Sequence, residues 1–309
     1  MTQDISVIIL TFNEEKHIER CIKSLLPFTK EIFIVDSNST DKTVEIAESL
    51  GAKVYKNKWP GNHAKQFQWG LDNCLIKTKW IMKIDADEYV LPELASEINS
   101  KLNTLDNDIS GIYIKRRLYF LDRWIKNGGY YPVWLLRIWR SGHGQMEQRW
   151  MDEHIKLTSG NTVEFENDLV DDNKNGLTAW TEKHNSYATK EAIDGLNKIY
   201  NFVDADIEEG KLFGTKIERK RWLRQKYDSL PLFVRPIIYF HYRYFFKLGF
   251  LDGKQGFIWH FLQGFWYRFY IDAKIYEIYH NAGKDKNAIL KFIKDKYNID
   301  VLQRKKEDE

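Results

Sequence analysis

The first hundred residues alternate short apolar segments with segments of helical periodicity. The apolar segments are rich in β-branched residues and show little polar alternation, which is typical of strands buried on both faces of a parallel sheet. They lie at residues 5–11, 31–35, 53–55 and 80–84. Helical segments separate them, at about residues 16–26, 42–50 and 64–74. This order predicts an α/β fold, with a doubly wound, mainly parallel sheet flanked by helices and joined by right-handed crossovers.

The loops that follow these strands are expected to form the functional site. In an open α/β sheet, ligands bind beyond the carboxyl ends of the strands. Here the loops are residues 11–15, 36–41 and 85–88, and all are polar. None contains the glycine-rich dinucleotide fingerprint or the phosphate-binding P-loop. The site is therefore expected to hold its ligand without either of these two glycine-rich phosphate-binding loops.

The third loop carries three carboxylates in four positions, Asp85, Asp87 and Glu88. Clustered carboxylates without His or Cys suit a hard divalent cation such as Mg²⁺ or Mn²⁺, which usually also takes phosphate oxygens as ligands. The alternative is an acidic turn before a helix that begins near Pro92. Taken alone, an Asp-x-Asp pair favours that alternative, and only the neighbouring loops favour a metal site.

Two further residues are candidates for contact with a nucleotide. Asp36 ends the second strand and could accept hydrogen bonds from a base or from ribose hydroxyls. Lys65 begins a helix and could meet a phosphate group at the helix N-terminus. The alternatives remain open: Asp36 as a turn former, and Lys65 as a solvated surface lysine.

Residues 7–15, 34–43 and 85–88, in this order and spacing, resemble the motifs of the inverting family 2 glycosyltransferases of GT-A fold. The later stretch at residues 153–155 resembles members that build lipopolysaccharide cores and related surface glycans. The resemblance implies a nucleotide-diphospho-sugar donor, expected to be a UDP-sugar. It also implies that Asp87 holds a Mn²⁺ or Mg²⁺ ion and the diphosphate, with Asp85 facing the ribose and sugar. The other implied donor-site residues are Thr11, Asn13, Glu15, Asp36, Lys65 and Ala86. The chain departs from the family at residues 64–66, where many members have an Ala-Arg-Asn type sequence.

An inverting transfer needs a carboxylate base that takes the proton of the acceptor hydroxyl. Asp152 and Glu153 are the candidates, and since side chains alternate along an extended segment, they are not expected to share the role. The resemblance favours Glu153. The alternative is an acidic surface patch that pairs with Arg149 or Lys156. His154 is expected to be structural or to contact phosphate.

Composition suggests a catalytic domain at residues 1–215, with a nucleotide-sugar half at 1–100 and an acceptor half at 101–215. Residues 216–309 form an aromatic and basic helical extension. Apolar helices with aromatic and single basic residues are typical of helices that lie on an anionic membrane surface. A packed helical subdomain or a homodimer interface is the alternative. The tail from residue 284 is expected to fray.

The cysteine content, the N-terminal residues and the net charge narrow the range of functions further. The two cysteines, Cys21 and Cys74, do not form a disulfide framework and suit a reducing compartment. The polar N-terminus predicts no signal peptide, and a net charge of +3 gives no support for a nucleic-acid partner. We therefore expect a cytoplasmic enzyme, peripheral at the inner face of the cytoplasmic membrane, that transfers a hexose to a lipid-linked or lipopolysaccharide-type glycan. The alternatives are a metal-dependent nucleotidyltransferase and a non-catalytic membrane-associated scaffold.

Overall fold

The computed structural model describes residues 2–146, 155–203 and 216–302. Contacts divide the chain into two compact units, Met1–Asn175 and Gly176–Glu309. Composition had suggested a boundary after residue 215. The structural boundary lies earlier because the long helix that begins at Gly176 packs against the helix Tyr267–Ala282 of the second unit.

The first unit contains the sheet and the helices that cover it. Its strands are β1 (Ile5–Thr11), β2 (Glu31–Asp36), β3 (Lys53–Lys56), β4 (Trp80–Lys83), β5 (Glu88–Val90), β6 (Ile109–Phe120), β7 (Arg123–Trp124), β8 (Val133–Arg140), β9 (Gly144–Met146), β10 (Ile155–Leu157) and β11 (Asn161–Asp171). Its helices are α1 (Ile18–Leu25), α2 (Thr43–Ser49), α3 (His63–Asn73) and α4 (Pro92–Lys101). The order of strands and helices from β1 to β4 is the predicted one, whereas the short strand β5 was not predicted.

The main sheet has the strand order β3-β2-β1-β4-β8-β6-β11-β5. Strands β3, β2, β1 and β4 run parallel, whereas β8 is antiparallel to both β4 and β6. Strand β11 returns parallel to β6. The prediction of an α/β fold of GT-A type, with a doubly wound sheet flanked by helices, is confirmed. The sheet is parallel in its first half and mixed in its second.

The β-branched strands are buried on both faces, as their composition predicted. Along β1, Val7 and Ile9 pack with α1 and α4, while Ile8 faces the cluster that contains Phe67 of α3. The register pairs Thr11 of β1 with Asp36 of β2. The carboxyl ends of β1, β2 and β4 therefore meet at one edge of the sheet.

The second unit is helical. Its helices are α5 (Gly176–Tyr200), α6 (Lys216–Asp228), α7 (Val234–His241), α8 (Gly253–Trp259), α9 (Tyr267–Ala282) and α10 (Lys286–Tyr297). The predicted C-terminal helical extension is confirmed. The expectation that the tail frays from residue 284 is wrong for α10. The Asp285 side chain accepts a hydrogen bond from Ala288 N, and Ile289 and Ile293 are fully buried, so this helix is both capped and packed.

Candidate functional site

The loops after β1 and β2 are joined by a buried carboxylate. The Oδ1 atom of Asp36 accepts hydrogen bonds from Thr11 Oγ1 at 2.9 Å and from Ser39 Oγ at 2.5 Å, and its Oδ2 accepts one from Ser39 N at 2.8 Å. Asp36 has no exposed surface. In this conformation the carboxylate organises the loop, and a nucleoside base would have to replace one of these bonds to contact it.

Asn13 and Glu15 join the same two loops but remain exposed. The Asn13 backbone has a left-handed φ of 56°, and its Oδ1 accepts a hydrogen bond from Thr40 N at 2.8 Å. Glu15 Oε2 accepts from Lys42 N at 3.2 Å. These predicted donor-site residues therefore lie together with Thr11 and are accessible to a ligand.

Lys65 lies in the first turn of α3, where Asn62 caps the helix by accepting a hydrogen bond from Lys65 N at 3.1 Å. The next residue, Gln66, was not among the predicted site residues. It is fully buried, donates to Ser37 Oγ at 3.1 Å and accepts from Asn57 Nδ2 at 2.7 Å. A polar residue on the apolar face of a helix was the signal that could have identified it. Gln66 ties α3 to the loop after β2.

Asp85 lies between two cations. Lys83 Nζ is 2.8 Å from its Oδ1, and Arg137 Nη2 is 3.3 Å from its Oδ2. Burial works against the charged carboxylate, but Lys83 and Arg137 hold the pKa of Asp85 well below its usual value. Asp85 is therefore ionised at neutral pH, and its hydrogen bonds fix its orientation.

Glu88 and Arg137 form a buried ion pair beneath Asp85. Arg137 Nη2 is 2.5 Å from Glu88 Oε1, and Asp85 N donates to Glu88 Oε2 at 3.0 Å. Burial raises the pKa of Glu88 to about 7, and the charge of Arg137 opposes this rise. Arg137 was not predicted to belong to the site. The available signal was an arginine in the middle of the largely apolar strand β8.

Asp87 accepts hydrogen bonds at both its backbone carbonyl and its side-chain carboxylate. Its carbonyl oxygen accepts hydrogen bonds from Arg20 Nη2 at 3.3 Å and from Asp172 N at 3.1 Å. Its carboxylate Oδ2 accepts one from Asn173 Nδ2 at 2.9 Å. The neighbouring Ala86 is buried in the core, so it anchors the loop and leaves the two aspartates at the surface.

Asp87 is the carboxylate that the sequence predicts to hold a hard divalent cation. Within residues 2–146, 155–203 and 216–302, no group of three or more His, Cys, Asp or Glu side chains is placed to hold a metal ion. Mg²⁺ commonly binds through one or two carboxylates, and substrate phosphates and water complete its coordination. Asp87 supplies such a carboxylate at the strand end where the diphosphate is expected. The predicted base candidates, Asp152 and Glu153, and the neighbouring His154 lie outside the described residues.

Comparison with known proteins places this architecture in a family. Residues 6–163 match the family model "Glycosyl transferase family 2". An uncharacterised glycosyltransferase of Rickettsia typhi is 28% identical over 98% of this chain and 97% of its own. The lipopolysaccharide core biosynthesis glycosyltransferase LpsC of Rhizobium meliloti is 28% identical over 88% of this chain and 92% of its own.

Other similarities cover less of the chain. An uncharacterised glycosyltransferase of Rickettsia bellii is 46% identical, but the match spans 32% of each protein. Among solved structures, glucosyl-3-phosphoglycerate synthase of Mycobacterium tuberculosis, in complex with Mn²⁺, UDP and glucosyl-3-phosphoglycerate, is 25% identical with a TM-score of 0.31. That match covers 37% of this chain and 44% of the synthase. Since the family match extends over residues 6–163, about half of the chain, and includes the loops after β1, β2 and β4, the chain belongs to glycosyl transferase family 2.

Proposed function

We propose that this enzyme transfers a hexose, with inversion, from a UDP-sugar to a hydroxyl group of a lipid-linked or lipopolysaccharide-type glycan. The observation that carries the proposal is the meeting of the β1, β2 and β4 loops at one sheet edge, where Asp87 presents a carboxylate. The similarity to LpsC over most of the chain supports the acceptor class.

In this proposal the residues have separate tasks. Thr11, Asn13, Glu15 and Asp36 form the nucleoside side, and Lys65 offers a positive charge near the phosphates. Asp85, oriented by Lys83 and Arg137, faces the sugar and ribose. A divalent cation bound at Asp87 would neutralise the charge that develops on the departing diphosphate. The acceptor hydroxyl loses its proton to a carboxylate base as it attacks the anomeric carbon.

Release of UDP tests the proposal directly. A panel of UDP-sugars is incubated with the protein, with and without Mn²⁺, and free UDP is measured together with the thermal shift that UDP causes. We expect at least one sugar to give metal-dependent release. If no sugar is hydrolysed or transferred, and UDP with Mn²⁺ does not stabilise the protein, the enzymatic proposal is wrong. A nucleotidyltransferase would instead release pyrophosphate from a nucleoside triphosphate.

We assign the base to Glu153, with Asp152 as the competing residue. Glu153→Gln is expected to leave UDP affinity unchanged and to lower turnover by about 10²-fold or more, because general-base catalysis contributes on this scale. Asp152→Asn is the matched control and is expected to retain most of the activity. The measurement is turnover at saturating donor, paired with calorimetric UDP binding. The opposite pattern of loss would assign the base to Asp152.

We further propose that the second unit binds an anionic membrane surface. Within the described residues, no helix is long and apolar enough to cross a membrane. The stretch from residue 234 to 261 nevertheless exposes many large apolar side chains. They are Val234, Ile237, Ile238, Tyr242, Phe245, Phe246, Leu248, Phe250, Leu251, Phe257 and Phe261. An exposed apolar surface of this kind marks an interaction site.

The charges around this apolar face favour anionic lipid. Between residues 229 and 276 the only acidic residues in the sequence are Asp252 and Asp272, and both side chains are buried. Asp272 is bonded to Arg235 and to Phe233 N. Lys247 and Lys254 are exposed on the same stretch. The stretch therefore combines exposed apolar side chains with exposed positive charge, the combination that attracts an amphipathic surface to anionic headgroups.

A flotation assay tests the membrane proposal. At low salt the protein is expected to float with vesicles that contain anionic lipid, and less with neutral vesicles. Phe246 is 79% exposed and Leu251 54% exposed, so the double variant Phe246→Ser/Leu251→Ser is expected to lose most of this binding. Leu75→Ser, at a 68% exposed position in the first unit, is the matched control and is expected to float normally. If the protein instead fails to float and forms dimers, and the double variant dissociates those dimers, the exposed apolar side chains would bind a second copy of the chain.

A further inference from the structure

A short segment after β11, residues 172–174, contacts Asp87 through both backbone and side chain. Asp172 N donates to the Asp87 carbonyl at 3.1 Å, and Asn173 Nδ2 donates to Asp87 Oδ2 at 2.9 Å. Asn173 thus engages one oxygen of the carboxylate and leaves the other available to a cation. The direction in which Asp87 points therefore depends on where this segment lies.

His17 connects this segment to the loop after β1 by hydrogen bonds. Its ring has no exposed surface, and its Nε2 accepts a hydrogen bond from Lys174 N at 2.8 Å. A backbone N–H can only donate, so Nε2 must be the unprotonated nitrogen. The ring proton is then on Nδ1, which donates to Glu14 Oε2 at 2.6 Å. His17 therefore links the loop that carries Asn13 and Glu15 to the segment that carries Asn173.

Arg20 of α1 binds the same segment. Its Nη1 donates to Asp172 Oδ2 at 2.6 Å, and its Nη2 donates to the Asp172 carbonyl at 2.7 Å and to the Asp87 carbonyl at 3.3 Å. His17 directly precedes α1 and Arg20 lies in the first turn of that helix, so both side chains reach the segment from the same end of α1. The start of α1 thus holds residues 172–174 at two points.

We propose that His17 is a positioning residue of the metal centre. By holding Lys174, it keeps Asn173 against Asp87 and so fixes the carboxylate in the orientation that binds the cation and the diphosphate. His17 itself touches neither the donor nor the cation. This inference rests on the proposed function, because it concerns the metal-dependent part of donor binding.

Calorimetry of UDP binding, with and without Mn²⁺, separates this role from general destabilisation. His17→Phe keeps the ring volume and removes both hydrogen bonds. We expect the Mn²⁺-dependent gain in UDP affinity to fall about 10-fold or more, as is typical when a residue that orients a metal ligand is changed. UDP affinity without metal is expected to change less than about twofold, since His17 does not contact the nucleoside. His17→Gln, which retains an acceptor and a donor, is expected to recover most of the gain.

A double-mutant cycle tests the route through Asn173. Asn173→Ala is expected to reproduce the loss of the Mn²⁺-dependent gain, and His17→Phe/Asn173→Ala is expected to lose no more than either single variant, because both act on one contact. Asn173 is exposed, so its variant is expected to fold even if His17→Phe does not. Thr78→Val removes another buried hydrogen bond, to Ser6 Oγ at 2.8 Å, and should lower thermal stability without changing the Mn²⁺-dependent gain.

The outcomes are distinguishable. If wild-type UDP affinity does not depend on Mn²⁺, the metal-dependent function and the role of His17 are both wrong. If it does depend on Mn²⁺ but His17→Phe leaves that dependence intact, or if the two single losses add, only the positioning role is wrong. Nitrogen-15 NMR of the imidazole gives a test without ligand, and a His17 ring protonated at Nε2 would contradict the proposal.

Discussion

Asp87→Asn is expected to eliminate the Mn²⁺-dependent gain in UDP affinity and to lower transfer by about three orders of magnitude. A metal ion supplies several kcal/mol of stabilisation to the charge on a leaving group, and each 1.4 kcal/mol corresponds to about tenfold in rate. The amide keeps the size of the side chain and can still accept the hydrogen bond from Asn173. The variant therefore removes the charge while leaving the loop in place.

The measurement is initial transfer rate and calorimetric UDP affinity across a Mn²⁺ titration. Asp72→Asn makes the same change at an exposed position on α3 and should leave both values unchanged. If Asp87→Asn retained the wild-type dependence on Mn²⁺, Asp87 would not be the metal ligand. Loss of UDP affinity in the absence of metal as well would point instead to a collapsed donor site.

Arg137→Met is expected to lower the free energy of unfolding by several kcal/mol. Arg137 is 5% exposed and pairs with Glu88, which is 1% exposed, so the variant leaves a buried carboxylate without its cation. Removing one partner of a buried ion pair typically costs about 3–5 kcal/mol in free energy of unfolding. Chemical denaturation at pH 8 measures this loss. Arg224→Met, at an exposed position on α6, should change stability by less than about 0.5 kcal/mol.

The pH dependence of this loss has a defined sign. Burial already raises the pKa of Glu88 to about 7, and without the opposing charge of Arg137 that pKa rises further. A carboxyl group with a raised folded-state pKa contributes stability below its ordinary value and loses it as the pH rises through the folded-state value. The deficit of Arg137→Met should therefore be smaller at pH 5 than at pH 8. Glu88→Gln in the same chain should recover part of the deficit at pH 8, and an equal deficit at both pH values would contradict this account.

The parts of the site that are local in the sequence were predictable. The strands of the first unit are marked by β-branched runs, and the polar loops follow them directly, so Thr11, Asp36 and Asp87 could be assigned to one sheet edge. The family resemblance, which rested on the order and spacing of these loops, is confirmed. The helix α10 was missed because the expectation of a frayed tail overlooked the capping residue Asp285 and the apolar spacing of Ile289 and Ile293.

The parts that depend on contacts between distant residues were not predictable. Arg20 meets Asp172 across 152 positions, and Arg137 meets Glu88 across 49. No local pattern in α1 or β8 specifies such a partner. Each pairing arises only in the folded sheet, where β8 pairs with β4 and β11 pairs with β5, the strand that α1 contacts. Likewise, the early boundary at Asn175 follows from how α5 packs, which composition does not reveal.

The shared register of β1, β2 and β4 also bears on how the enzyme family diversifies. Loops rooted in adjacent hydrogen-bonded strands lose little conformational entropy when a ligand arrives, so the proposed donor side is expected to be preorganised before binding. A substitution that reshapes one strand end would disturb its neighbours as well. We therefore expect new specificity to arise mainly through the later, mixed half of the sheet and its connections, where acceptors can be exchanged without rebuilding the donor side.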